Sequence, residues 1–182
     1  MNVSNNEVAI DVGGGYGEYF VDRARHERNR QFLILEPRNL RLKRVPRNLH
    51  VITWGSHPEL ELPLASNSID EANLNFLWGE ISYKEEDTDD ANNEAPKRYG
   101  LLLRQIHRVL RPSGSLKITD ANGLLSKIKE ALRGEMYKIE KIEPLSNTQM
   151  SYWSQTHHDT FVKRGIDFAK PMTILAFPTK KL

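Results

Sequence analysis

Apolar residues along this chain fall into short runs that alternate with amphipathic stretches. Val8, Ala9, Ile10 and Val12 form the first run, mostly β-branched, as a buried parallel strand requires. Gln31–Leu35 and His50–Trp54 repeat the pattern, and Glu71–Asn75 and Ser115–Asp120 give a fourth and a fifth strand. Between the first two runs, Glu18–Arg28 places Phe20, Val21 and Ala24 on one face and Arg23, Arg25 and Arg28 on the other, which predicts a helix. Arg98–Leu110 carries Leu102, Leu103, Ile106, Val109 and Leu110 at helical spacing, and Gly123–Gly134 does so with Leu124, Leu125, Ile128 and Leu132. Tyr137–Glu143 alternates Ile139 and Ile142 with Lys and Glu, as an exposed strand would, and Pro171–Phe177 is the last strand. Alternating strands and helices predict an α/β fold.

Three connections stand out. Pro37–Arg47 holds five cations (Arg38, Arg41, Lys43, Arg44, Arg47) and two prolines, too broken for more than a turn or two of helix. Those cations suit phosphates and equally suit a solvated connection. Glu80–Pro96 is strongly acidic without an apolar anchor, which predicts a mobile loop at about 80–96. The long connection at about 146–168 contains Tyr152, Trp153, His157, His158 and Asp159. Adjacent histidines seldom converge on one ion, so no metal site is expected there.

Composition narrows the picture. The 182 residues with 38% hydrophobic content predict one domain, 1–182, and no apolar run approaches a membrane span. The absence of cysteine removes disulfides, thiol nucleophiles and thiolate metal sites; with no signal peptide ahead of the first strand, a cytoplasmic location is expected. Net charge is only +2, but residues 1–47 carry +3, 48–96 carry −10 and 97–182 carry +9. A basic chain with one acidic insert permits a polyanionic partner without requiring one.

The candidate chemistry sits after the first strand. Asp11-x-Gly13-x-Gly15-x-Gly17 lies where a backbone can approach a nucleotide-like ligand, at a strand's carboxyl end before a helix. It fails the dinucleotide spacing, and no Gly-Lys-Ser/Thr follows to make a phosphate loop. The stretch resembles motif I of the class I S-adenosylmethionine (SAM) methyltransferases. Arg108–Leu116, some ninety residues on, resembles the same family's "RVLKPGGxL", and Leu62–Asp70 resembles its lead-in to the fourth strand, "LPFxDxSFD". The resemblance implies a Rossmann-like, doubly wound, mostly parallel seven-stranded sheet whose last strand is antiparallel. It implies SAM as cofactor, with Gly13, Gly15 and Gly17 admitting the methionine moiety and Asp11 helping to hold its ammonium. Glu36 ends the second strand 19 residues beyond Gly17, where an acid accepts both ribose hydroxyls; the alternative is a merely solvated glutamate. The family's adenine-contacting acid after the third strand is replaced by Gly55-Ser56-His57, which leaves Ser56 or a backbone group to substitute.

Asn75-Phe76-Leu77-Trp78-Gly79 keeps the asparagine and aromatic of aminomethylating members without their prolines. It also resembles the Phe-Pro-Trp-Gly of the 16S rRNA adenine-N1 methyltransferases and, less closely, the Asn-Phe-Pro of tRNA guanine-N7 methyltransferases. That likeness implies Asn75, Trp78 and Trp153 at the methyl acceptor, the two tryptophans holding a flipped purine. Trp78 as core and Trp153 as an exposed loop residue is the plainer alternative. Methyl transfer to a nitrogen, with an RNA base put ahead of a small molecule, is the expected activity, and a non-catalytic scaffold on the same fold is the competing class.

Overall fold

The structure, a computed structural model, describes residues 7–14, 17–37, 40, 42, 44–54, 61–77, 89–145 and 171–179, with the backbone alone for 89–95. Its strands are β1 (Val8–Val12), β2 (Gln31–Glu36), β3 (Leu49–Thr53), β4 (Ile69–Asn75), β5 (Leu110–Asp120), β6 (Tyr137–Pro144) and β7 (Met172–Pro178). Its helices are α1 (Glu18–His26), α2 (Asp89–Val109) and α3 (Leu125–Gly134), the last entered through a 3₁₀ turn at Asn122–Leu124. The seven strands form one sheet in the order β3-β2-β1-β4-β5-β7-β6. β1 to β5 run parallel, and β7 is antiparallel to both β5 and β6. This is the expected doubly wound architecture, with the strand order reversing between β1 and β4.

Both sheet faces are buried, which is why β1 and β2 read as nearly continuous apolar runs. On one face Ala9, Phe32 and Ile34 pack against Phe20, Val21 and Ala24 of α1, with Phe20 edge-on to Phe32 at 5.2 Å. On the other, Ile10, Val12, Leu74 and Ile118 meet Leu102, Leu103 and Ile106 of α2 and Ile128 and Leu132 of α3.

Two boundaries differ from the sequence expectation by more than two residues. α2 begins at Asp89 and carries Pro96 within it, so residues 89–96, expected as part of a mobile loop, have helical backbone. Counting charge left out that acids are favoured in a helix's first turn. β5 starts at Leu110, straight after α2, rather than at Ser115 as expected; its pairing with β4 jumps from Ile69↔Leu110 to Glu71↔Ser115. A second irregularity resolves a puzzle in β6. Ile139 and Ile142 are three apart, the wrong spacing for one face of a strand, but the register shifts between Ile139 and Lys141. They then pair with Ala176 and Ile174, which share a face of β7.

Two of the three stretches that carry the family resemblance, Leu62–Asp70 and Arg108–Leu116, touch each other. Arg108 donates from Nη1 to the Leu64 carbonyl at 2.8 Å and from Nη2 to that of Leu62 at 2.9 Å. Arg111 Nη1 donates to Asp70 Oδ1 at 2.7 Å, and Asp70 Oδ2 accepts the Val8 amide at 2.8 Å. All this lies where β1, β4 and β5 begin. These residues hold strands in order at the edge opposite the carboxyl ends.

Candidate functional site

The carboxyl ends of the parallel strands gather the polar residues that the core otherwise excludes. Direct strand partners point to the same face, so Asp11 (paired with Ile34 and Asn73), Glu36 and Asn75 all lie on the α1 side. Asp11 and Glu36 are each 1% exposed, on neighbouring strands. Asn75 Nδ2 donates to Asp11 Oδ1 at 3.0 Å across the reversal point of the sheet. Burial pushes the Asp11 carboxyl up to about 7, against the lowering bond from Asn75; the Glu36 charge adds to the rise.

A Cβ on Gly13 or Gly14 would press on neighbouring side chains at this edge. Gly13 has φ +71°, its amide donates to the Leu35 carbonyl at 2.8 Å, and a Cβ on it would lie 2.6 Å from Leu77 Cδ1. A Cβ on Gly14 would lie 2.8 Å from Ile34 Cγ2 and 3.1 Å from Asp11 Oδ2. Gly17, at φ +73°, caps α1, and its amide donates back to the Gly14 carbonyl at 2.8 Å. The left-handed φ at Gly13 and Gly17 is the physical reason for glycine at those two positions.

Of the remaining candidates, Gly15, Ser56, Trp78 and Trp153 lie outside the described residues, as do His157, His158 and Asp159. Asn75, expected at the acceptor, donates its amide to Asp11. Phe76, 1% exposed at φ +53°, caps the core, and its amide donates to the Thr119 carbonyl at 2.7 Å. Among the described residues no cluster of three or more His, Asp or Glu could hold a metal ion, and no helix is long and apolar enough to cross a membrane.

Two acids escaped the sequence reading. Asp120 ends β5, 2% exposed, and its Oδ1 accepts the Ala121 amide at 2.8 Å. Its strand-end position is the same signal that singled out Glu36. Glu71, 4% exposed on β4, lies deeper on the α1 face. It pairs with Arg23, with Arg30 at 3.0 Å and with Lys117 at 3.4 Å, and accepts from Asn73 Nδ2 at 2.9 Å. Burial would raise its carboxyl, but the Arg23 bond and charge, helped by Lys117 and Asn73, outweigh it and hold it down at about 2. No spacing in β4 signals this cluster, because its cations come from α1, the loop before β2, and β5.

No family model matches the chain, and no curated protein matches it. Solved structures do. A SAM-dependent methyltransferase from Aquifex aeolicus is similar over 97% of this chain and 85% of its own, at TM-score 0.64 and 12% identity. The 16S rRNA methyltransferase KamB is similar over 96% and 89%, at TM-score 0.64 and 14% identity. The [4+2]-cyclase SpnF is similar over 97% and 76%, at TM-score 0.66 and 14% identity. The chain therefore has the Rossmann-like fold of the class I SAM-dependent methyltransferases.

Proposed function

We propose that this protein is a SAM-dependent methyltransferase that transfers a methyl group to nitrogen, with an RNA base as the acceptor class put first. One observation carries the cofactor reading: two buried acids, Asp11 and Glu36, end neighbouring strands beside a Gly13 backbone that a Cβ would jam. The residues fit the group. An acid at the tip of β2 suits the two hydroxyls of a ribose, and an acid under the glycine loop suits an ammonium. The resemblance adds Gly15, Gly17 and Ser56 to this set. Bound SAM supplies a methylsulfonium that already carries a strong leaving group.

What remains for the protein is alignment and exclusion of water. A nitrogen with a free lone pair needs no positioned base, whereas a hydroxyl would. Among the described histidines, His26 ends α1, His50 is exposed near the start of β3, and His107 lies near the end of α2 with Nε2 3.2 Å from the Thr179 carbonyl. None of these three is at the carboxyl edge. The charge of +9 over residues 97–182 favours a polyanionic acceptor, and KamB acts on 16S rRNA from the same fold. Trp78 and Trp153 are the residues proposed to hold the base.

SpnF is a cyclase, so fold alone does not select the reaction. The test is transfer of a labelled methyl group from SAM to total RNA and, in parallel, to a panel of small amines and hydroxylated metabolites. Label in RNA, with RNA affinity falling steeply as salt rises, is the expected result. Label in the small acceptors alone overturns the RNA assignment. Cofactor binding without transfer to either favours the scaffold.

A further inference from the structure

Asp11 is surrounded by charges that do not neutralise it. β2 supplies Glu36, β4 supplies Glu71 and the uncharged Asn75, and α1 supplies Tyr19 and Arg23. Arg23 is the one cation in that set, and its guanidinium already bonds Glu71 and, at 2.7 and 3.0 Å, both carboxylate oxygens of Glu27. The Asp11 carboxyl is thus buried beside two other acids, with the neighbouring cation held elsewhere. In such a place the neutral form is favoured until a cation arrives.

The hydrogen bonds say where that cation would sit. Asn75 occupies Oδ1. The other oxygen, Oδ2, lies under the glycine loop, 3.1 Å from the position of a Cβ on Gly14. Asn75 thus fixes one carboxylate oxygen, and the other lies beside Gly14, where the glycine loop begins.

We propose that the amino-acid end of the cofactor binds with release of a proton from Asp11, so that pH sets the occupancy of the site. This rests on the methyltransferase reading. The incoming ammonium supplies the charge that Arg23 withholds, and the proton leaves to solvent. Because burial holds the Asp11 carboxyl at about 7 in the ligand-free protein, affinity is full above that pH and falls about tenfold per unit below it.

Calorimetry tests this with two ligands, S-adenosylhomocysteine and 5′-methylthioadenosine; the second keeps the adenosine half and lacks the ammonium. Titrations at pH 5.5 to 7.5 stay below the pH at which the ligand's own amine loses its proton. The homocysteine ligand should weaken roughly twenty-fold from the top of that range to the bottom, with 5′-methylthioadenosine unchanged. At pH 6 its apparent binding heat should differ between phosphate and imidazole buffers, as proton release demands. The isosteric Asp11→Asn variant should bind the homocysteine ligand with no slope. A flat profile with buffer-independent heat in the parent protein overturns the proposal, as does a slope that survives in Asp11→Asn. If neither ligand binds at any pH, the cofactor reading itself fails and takes this inference with it.

Discussion

Leu77 closes over Gly13: its Cδ1 methyl stands 2.6 Å from where a glycine Cβ would be, and the glycine's φ of +71° already disfavours any side chain. The contact ties the loop after β1 to the chain leaving β4, across the point where the strand order reverses. Gly13→Ala should lower stability by about 1–3 kcal/mol through backbone strain and the clash. Leu77→Ala alone should cost about 2–5 kcal/mol, as Leu77 is 2% exposed. The double variant should lose less than the sum, because the clash is gone. Urea midpoints of the four proteins measure that coupling, and strict additivity would contradict it.

Asp11 should trade stability for binding. Its carboxyl is raised from 3.8 to about 7, so the folded protein holds a proton that the unfolded chain has lost. Stability of the ligand-free protein therefore falls as pH rises from about 4 to about 7 on this residue's account. Asp11→Asn removes that cost and should stabilise the ligand-free protein by about 2–4 kcal/mol at pH 8. At pH 4 the gain should vanish. Thermal or urea unfolding at the two pH values measures the difference.

Glu71 should do the opposite. Its carboxyl is held at about 2, below the ordinary 4.5, so its contribution is whole above about pH 4.5 and is lost as pH falls toward 2. Glu71→Gln should cost about 2–4 kcal/mol at neutral pH by leaving Arg23 and Arg30 without their buried anion. The gap between parent and variant should narrow in acid, which unfolding measured from pH 7 to pH 3 would show.

Two arginines four apart on α2 should differ. Arg108→Ala removes bonds to the Leu62 and Leu64 carbonyls and should cost about 1.5–3 kcal/mol. Arg104, 65% exposed, pairs with Glu135 at the surface, and Arg104→Ala should cost under about 1 kcal/mol. Comparable losses would contradict a stitching role for Arg108.

The strand order could be read from the sequence because β1 and β2 are apolar runs in a sequence resembling a known family. Glu36 was legible because it ends such a run, and Asp120 was not, because the strand it ends alternates polar and apolar residues. The role of Arg108 was not legible. Its motif had been matched as a family mark, and only the fold shows that it binds the Leu62–Asp70 segment. The bond from Asn75 to Asp11 was not legible, because strand register sets it and register is invisible to a local pattern. Glu71 entered the sequence reading only as the start of the fourth strand. Its cations converge from three other segments, a relationship that no one-dimensional spacing encodes.

The central claim is that the carboxyl edge at Asp11 and Glu36 holds SAM. Equilibrium dialysis of labelled SAM against the purified protein at pH 8 tests it most directly. The account predicts saturable binding that approaches one molecule per chain and is weakened at least tenfold by Glu36→Ala, whose buried carboxylate would lose its bonds to the ribose. A folded protein that takes up no SAM, or one that binds it equally well after Glu36→Ala, would contradict the account.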